Sequence, residues 1–212
     1  IASTFSRILR GMQHNRIKYQ ENLAEELQKQ KINATAVLVM AENMPDGKAY
    51  KPEDVYTSAS GLTVEVINTD AEGRMGLADG LWYASAKLKA KRVIDIATLT
   101  GAVVMALGHE FAGLFCDDDK MADDLLKAGL DSGERLWRLP MCEEFGKLLK
   151  SDVADVKHLA ARGHGAGSAT AAMFLKKFVK GKTPWAHLDI AGRDDSSTPR
   201  PLEPKGATAF GI

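Results

Sequence analysis

Apolar positions along the chain change period several times, and each change predicts an element. Phe5, Ile8, Leu9 and Met12 fall on one helical face, the three-to-four spacing of an amphipathic helix. Residues 22–31 continue as a polar helix with Leu23 and Leu27 as its apolar stripe. From 32 to 40 the pattern becomes an unbroken apolar run, which predicts a strand in the interior of a mostly parallel sheet. Pro45, Gly47 and Pro52 mark a turn-rich loop over 42–52. Short strands are expected at 55–57 and 63–67, with Gly61 at the bend between them, then a helix over 77–88 and a second buried strand over 93–97. A turn of small residues, 98–101, follows that strand, at the position where open α/β sheets place their ligands. Residues 121–130 and 142–149 read as helices, 161–167 open a helix running to Lys177, and 186–190 form a final strand. Strands alternating with helices give an α/β class: a three-layer sandwich with a central, largely parallel, mixed sheet flanked by helices.

Composition narrows the partners. The 212 residues suffice for one medium domain or slightly more. With 28 basic and 28 acidic residues the formal charge is zero, so nothing points to nucleic acid or an acidic membrane surface as a partner. Cys116 and Cys142 make neither a disulfide framework nor a metal-ligand spacing. No apolar run reaches the length of a membrane span, and the chain reads as cytoplasmic. Residues 1–20 carry Arg7, Arg10, Arg16 and Lys18 without an acidic residue. That pattern has the flavour of an organelle transit segment, with a mitochondrial location as its consequence, and reads equally as the cut end of a longer chain.

Candidate chemistry concentrates in one place. Residues 64–67 form an alternating apolar run that delivers Asp70, Glu72 and Arg74 into a few residues of backbone around Gly73. Two carboxylates two residues apart point the same way in an extended segment. Beside a guanidinium, they offer hard oxygen ligands and an anion-binding fork, the parts of a hydrolytic metal site. A second reading stays open, in which Asp70 and Glu72 cap the helix that follows.

The heptapeptide Asn68-Thr69-Asp70-Ala71-Glu72-Gly73-Arg74 resembles the signature of the leucyl aminopeptidase (cytosol aminopeptidase) family. Residues 41–47, 97–102 and 185–192 resemble further family blocks in the family's order. The resemblance implies a metal-dependent aminopeptidase that removes N-terminal, leucine-like residues from peptides by two-metal hydrolysis. It implies Asp70 and Glu72 as metal ligands for two divalent cations (zinc, manganese or magnesium), and Arg74 as the catalytic residue holding a bicarbonate. Ala71, Thr98, Leu99, Gly101 and Ala191 line the substrate pocket on the same basis. A homo-hexamer, built as a dimer of trimers, is implied for the assembly. Residues 32–212 correspond to the catalytic domain, incomplete at both ends, and 1–31 form a divergent basic and polar helical segment.

One departure from the family pattern matters. The family's Asp-x-Gly-Gly block, its nearby lysines and a further helix-head Asp have no counterpart in this text; the last would fall near Arg10 or Gly11. The chain is therefore expected to carry only the second half of a metal site. The alternative is a catalytically inactive relative serving as a structural or assembly subunit. A nucleotide-binding role for Gly163-His164-Gly165-Ala166-Gly167 lacks a convincing preceding strand and a Lys-Ser or Lys-Thr pair. His109, His158, His164 and His187 have no ligand spacing and read as packed or surface residues, His187 satisfying a neighbouring backbone group.

Overall fold

A computed structural model describes residues 33–41, 45–161, 163–198, 205–208 and 210–211, so the helices expected over 1–31 lie outside the described residues. Two compact units separate between Leu38 and Val39. In the first, the described residues 33–38 form no strand and expose their side chains. The same holds for Val39 and Met40, which corrects the buried strand expected over 32–40. A run of apolar, β-branched residues becomes a strand only where a ladder partner takes up its backbone groups, and none is paired with it among the described residues.

The second unit is built on three sheets. β1 (Val55–Thr57) and β2 (Thr63–Glu65) form a hairpin, and β2 pairs in parallel with β6 (Val156–Lys157). The main sheet holds β3 (Val93–Ala97), β7 (Trp185–Asp189), β4 (Ala112–Cys116) and β5 (Leu136–Arg138) in the order β3-β7-β4-β5. β3 and β7 run parallel, β4 runs antiparallel to β7, and β5 runs parallel to β4. β8 (Asp195–Ser196) and β9 (Gly206–Ala207) make a small antiparallel pair.

Among the described residues five helices accompany the sheets. α1 (Gly73–Trp82) begins earlier than its apolar period indicates and continues through a widened π turn, Tyr83–Lys87. α2 (Gly101–Leu107) starts directly after the small-residue turn. α3 (Asp119–Ser132) is capped by Asp118, whose carboxylate accepts from Met121 N–H at 2.8 Å. α4 (Glu143–Lys147) and α5 (Gly167–Lys176) complete the set.

Alternation in the strands sorts the core into two layers. Trp185, Val93 and Phe115 face α1 and α5, where Ala78, Leu81, Phe174 and Leu175 close one apolar cluster. Ala112, Leu114, Cys116, Ala186 and Leu188 face the other way, against Met121, Ala122, Leu125 and Leu126 of α3. Helices thus lie on both sides of a mixed sheet, the α/β sandwich read from the sequence. Gly113 makes one close approach possible: a β-carbon there would sit 2.7 Å from Val103, so its absence lets α2 rest on β4. The cluster Asp95, Trp185 and His187 interrupts the apolar layer, and every member is buried.

Candidate functional site

The acidic loop begins where β2 ends. Asn68, in extended conformation, accepts from Asp70 N–H at 3.1 Å and caps the 3-10 turn Thr69–Ala71. Glu72 occupies the N-cap position of α1 without a side-chain capping bond. Asp70 lies in the preceding 3-10 turn, outside α1. Asp70 is exposed, Ala71 and Glu72 are half-buried, and Arg74 is only 4% exposed.

His158 holds this loop in place. Its ring accepts from Ile67 N–H at Nδ1 (3.1 Å) and donates from Nε2 to the Asn68 carbonyl (2.9 Å). Nδ1 also lies 3.1 Å from the Glu65 carbonyl, and the neutral tautomer is assigned because the buried ring disfavours a second proton. Burial depresses its pKa in the same direction, against backbone hydrogen bonds that raise it. The His158 carbonyl accepts from Arg74 Nη1 at 2.9 Å. Arg74 Nε is buried and makes no hydrogen bond. Desolvation brings the Arg74 pKa down to about 10, opposed by the charge of Asp189, so the side chain stays cationic at neutral pH. A buried Nε donor of a cation, without an acceptor among the described residues, suits a small anion such as bicarbonate.

A second segment meets the first at the carboxyl ends of β3 and β7. The Leu99 side chain lies 3.7 Å from where a β-carbon on Gly73 would stand, and a β-carbon on Gly167 would stand 3.0 Å from Ala102. The start of α1 therefore lies against the Leu99 turn, and the start of α5 against the first turn of α2. Asp189, fully buried, lies beside the Leu99 turn. Its Oδ1 accepts from Leu99 N–H (3.1 Å), Thr100 N–H (3.3 Å) and Ala191 N–H (3.4 Å), and its Oδ2 from the Thr100 hydroxyl (2.6 Å). Thr100 Oγ1 accepts in turn from Val103 N–H at 3.2 Å, capping α2.

Of the sequence-derived residues, the structure gathers Leu99 and Ala191 onto one carboxylate and brings the Asp70–Arg74 loop against Leu99. Thr98 and Gly101 flank Leu99 and Thr100 as exposed residues, and Ala71 sits in the 3-10 turn. Asp189 and His158 were not singled out from sequence as tying the site together. Their signal was a charge closing a buried strand and an imidazole just past a two-residue one. His187 bonds not to a backbone group, as expected, but to Asp95 Oδ1 at 2.6 Å, while Trp185 Nε1 donates to Asp95 Oδ2 at 2.7 Å.

Asp70 and Glu72 are hard oxygen donors and suit a divalent cation. Among the described residues, however, no group of three or more His, Cys, Asp or Glu side chains could hold a metal ion. A hollow of about 620 Å³ lies elsewhere, lined by Cys116, Arg138, Met141, Cys142, Met173 and Lys176 among others. Because β4 is reversed, Cys116 pairs with Ala186 and marks the opposite rim of the sheet from Leu99. Burial there raises the Cys116 thiol pKa, and its Sγ donates to the Asp118 carbonyl, a poor setting for a nucleophile.

The turn after β7 tolerates no side chain at Gly192. A β-carbon would collide with the Gly108 carbonyl, a backbone group that cannot rotate away. The Gly192 carbonyl also meets His109 Nδ1 at 3.0 Å, and Arg193 Nη1 donates to the His109 carbonyl at 3.1 Å. Gly192→Ala is expected to cost about 1–3 kcal/mol of stability, measured by urea denaturation; a change within about 0.5 kcal/mol would show that the turn gives way.

A model of the cytosol aminopeptidase family, catalytic domain, matches residues 20–212. The chain is 50% identical over 181 residues to a protein of Rickettsia bellii (strain OSU 85-389) named probable cytosol aminopeptidase, covering 85% of this chain and 36% of that protein. It is 52% identical over 185 residues to one of the same name from Ehrlichia ruminantium (strain Gardel), covering 87% and 37%. A solved tomato leucine aminopeptidase mutant superposes with a TM-score of 0.74 at 43% identity, over 81% of this chain and 32% of that one. The chain thus spans about a third of the length of these relatives.

Proposed function

Since the chain belongs to the cytosol aminopeptidase family, we propose that it serves a metal-dependent aminopeptidase releasing N-terminal, leucine-like residues from peptides. The observation that carries this reading is the meeting of the Asp70–Arg74 loop with the Leu99 turn, through Gly73, at the carboxyl edge of the parallel strands.

Each residue has a task in this reading. Asp70 and Glu72 hold a divalent cation, which when bound polarises the scissile carbonyl and activates water. Arg74 retains a bicarbonate through its free Nε. Backbone around Ala71, Thr98, Leu99, Gly101 and Ala191 receives the first side chain of the substrate, and the Leu99 carbonyl accepts from its amine. A bimetallic site needs ligands beyond the two carboxylates described, and those come from the portion of the family pattern that this sequence lacks. Assembly as a dimer of trimers follows from the family resemblance.

Manganese titration tests the assignment. The chain should bind Mn²⁺ weakly, at one ion or fewer per chain, and the double substitution Asp70→Asn with Glu72→Gln should remove that binding. An unchanged affinity in the double variant would reject these carboxylates as ligands. An inactive scaffold subunit, the competing reading, predicts no Mn²⁺ bound by either form.

A further inference from the structure

We infer that Asp189 is a positioning residue: its buried carboxylate holds the Leu99–Thr100 turn and Ala191 at one spacing and so sets the width of the pocket for the substrate's first side chain. This inference rests on the aminopeptidase reading for its functional half. Its structural half stands on geometry alone.

Three backbone amides and one hydroxyl, drawn from the ends of two neighbouring strands, converge on a single side chain. Both walls of the proposed pocket therefore hang from the same carboxylate. The strands themselves do not impose this. Their ladder stops at the Ala97 and Asp189 pair, with one further bond from Ile190 N–H to the Ala97 carbonyl at 2.9 Å. Beyond that point, among the described residues, the hydrogen bonds that join the two segments all run to Asp189.

Burial of a carboxylate is costly unless its oxygens are satisfied. Here both oxygens are satisfied, and the charge of Arg74 acts on the same region. An apolar residue at this position would leave Leu99 and Thr100 N–H without their acceptor and free the Thr100 hydroxyl from its orientation. The effect would travel further, because the Thr100 hydroxyl that donates to Asp189 also accepts from Val103 N–H. One deletion would loosen the turn and the α2 cap together.

Two measurements on the 212-residue chain test this, using Asp189→Asn, Thr100→Val and Thr100→Ser. In backbone hydrogen exchange, the amides of Leu99, Thr100 and Ala191 should exchange about tenfold faster in Thr100→Val and Asp189→Asn, the equivalent of one lost hydrogen bond. The amides of Ile94 and Leu188 should keep their wild-type rates, and Thr100→Ser should restore protection. Uniform acceleration across all amides, or none at Leu99 and Ala191, overturns the inference.

The second measurement compares L-leucine amide with glycine amide by chemical-shift titration. The wild-type chain and Thr100→Ser should prefer leucine amide, and in Thr100→Val and Asp189→Asn the preference should fall toward equality. A role confined to stability would lower the folded fraction and leave the preference intact, which would overturn the positioning claim. If the wild-type chain prefers neither amide, the pocket reading fails. The exchange data then decide the structural half alone, local loosening upholding it and uniform or absent loosening rejecting it.

Discussion

Replacing Asp95 with alanine should lower the unfolding free energy by about 3–5 kcal/mol, the largest effect expected of any single substitution here. Asp95 joins β3 to β7 through side chains as well as backbone: one oxygen takes the Trp185 indole N–H, the other the His187 ring. Trp185 and His187 are at most 1% exposed, so neither finds water when the carboxylate is gone. A typical domain has only about 5–15 kcal/mol in hand, and the variant should be marginal in urea denaturation at room temperature. A loss under about 1 kcal/mol would mean that the pair relaxes into other partners.

The pair also has a pH signature. Burial alone would lower the His187 pKa, but the charge and hydrogen bond of Asp95 outweigh it and raise the value above that of a free imidazole. A folded-state pKa above the unfolded one favours folding with the proton on. The contribution is therefore complete below about pH 6.5 and is lost as pH rises through the higher folded value. His187→Asn keeps a neutral donor near the Nδ1 position and removes the titration. The stability advantage of wild type over His187→Asn should shrink from acid to alkaline pH. An advantage that stays flat across that interval would show a neutral hydrogen bond in place of the ion pair. His158, depressed by burial, slopes the other way in both proteins, so the comparison isolates His187.

The second large effect concerns catalysis. Purified from these 212 residues alone, the chain should not hydrolyse leucine amide with manganese added. Two dications a few ångströms apart repel strongly, and further carboxylates must offset that repulsion. Asp70 and Glu72 cannot do so unaided. Loss of one oxyanion donor typically costs about a hundredfold to a thousandfold in rate, and on the proposed reading the family's lysines and remaining ligands have no counterpart in this sequence. Robust turnover, abolished by a chelator and by Asp70→Asn, would show that the described carboxylates suffice or that other residues of this chain complete the site.

How much of this was legible beforehand depended on the length and regularity of each element. β3, β7 and the α5 helix were readable because their apolar periods run for five residues or more. The acidic heptapeptide was readable because charge gathers where a strand stops. β4, β5 and β6 were missed: Ala112–Cys116 contains a glycine and no alternation, because both its faces are buried, and the other two span only three and two residues. α2 hid behind the small-residue turn that begins it, although Thr100 three residues before Val103 was a capping signal. The run at 32–40 had strand composition without a described partner, and composition does not supply one.

The site's supports were harder still to see. Asp189 and His187 stand in an apolar strand, and their meaning comes from residues about ninety positions away. His158 likewise lies far from the loop it clamps. Sequence spacing can suggest which side chains do chemistry. It cannot show which buried ones keep those side chains in register.

The reversal of β4 carries a practical consequence for anyone seeking small molecules that act on this protein. Shape alone would draw them to the roomy hollow near Cys116, and a compound lodged there leaves the rim carrying Leu99 and Ala191 untouched. Hits ranked by affinity would therefore miss the proposed peptide site, and competition with leucine amide is the assay that separates the two kinds.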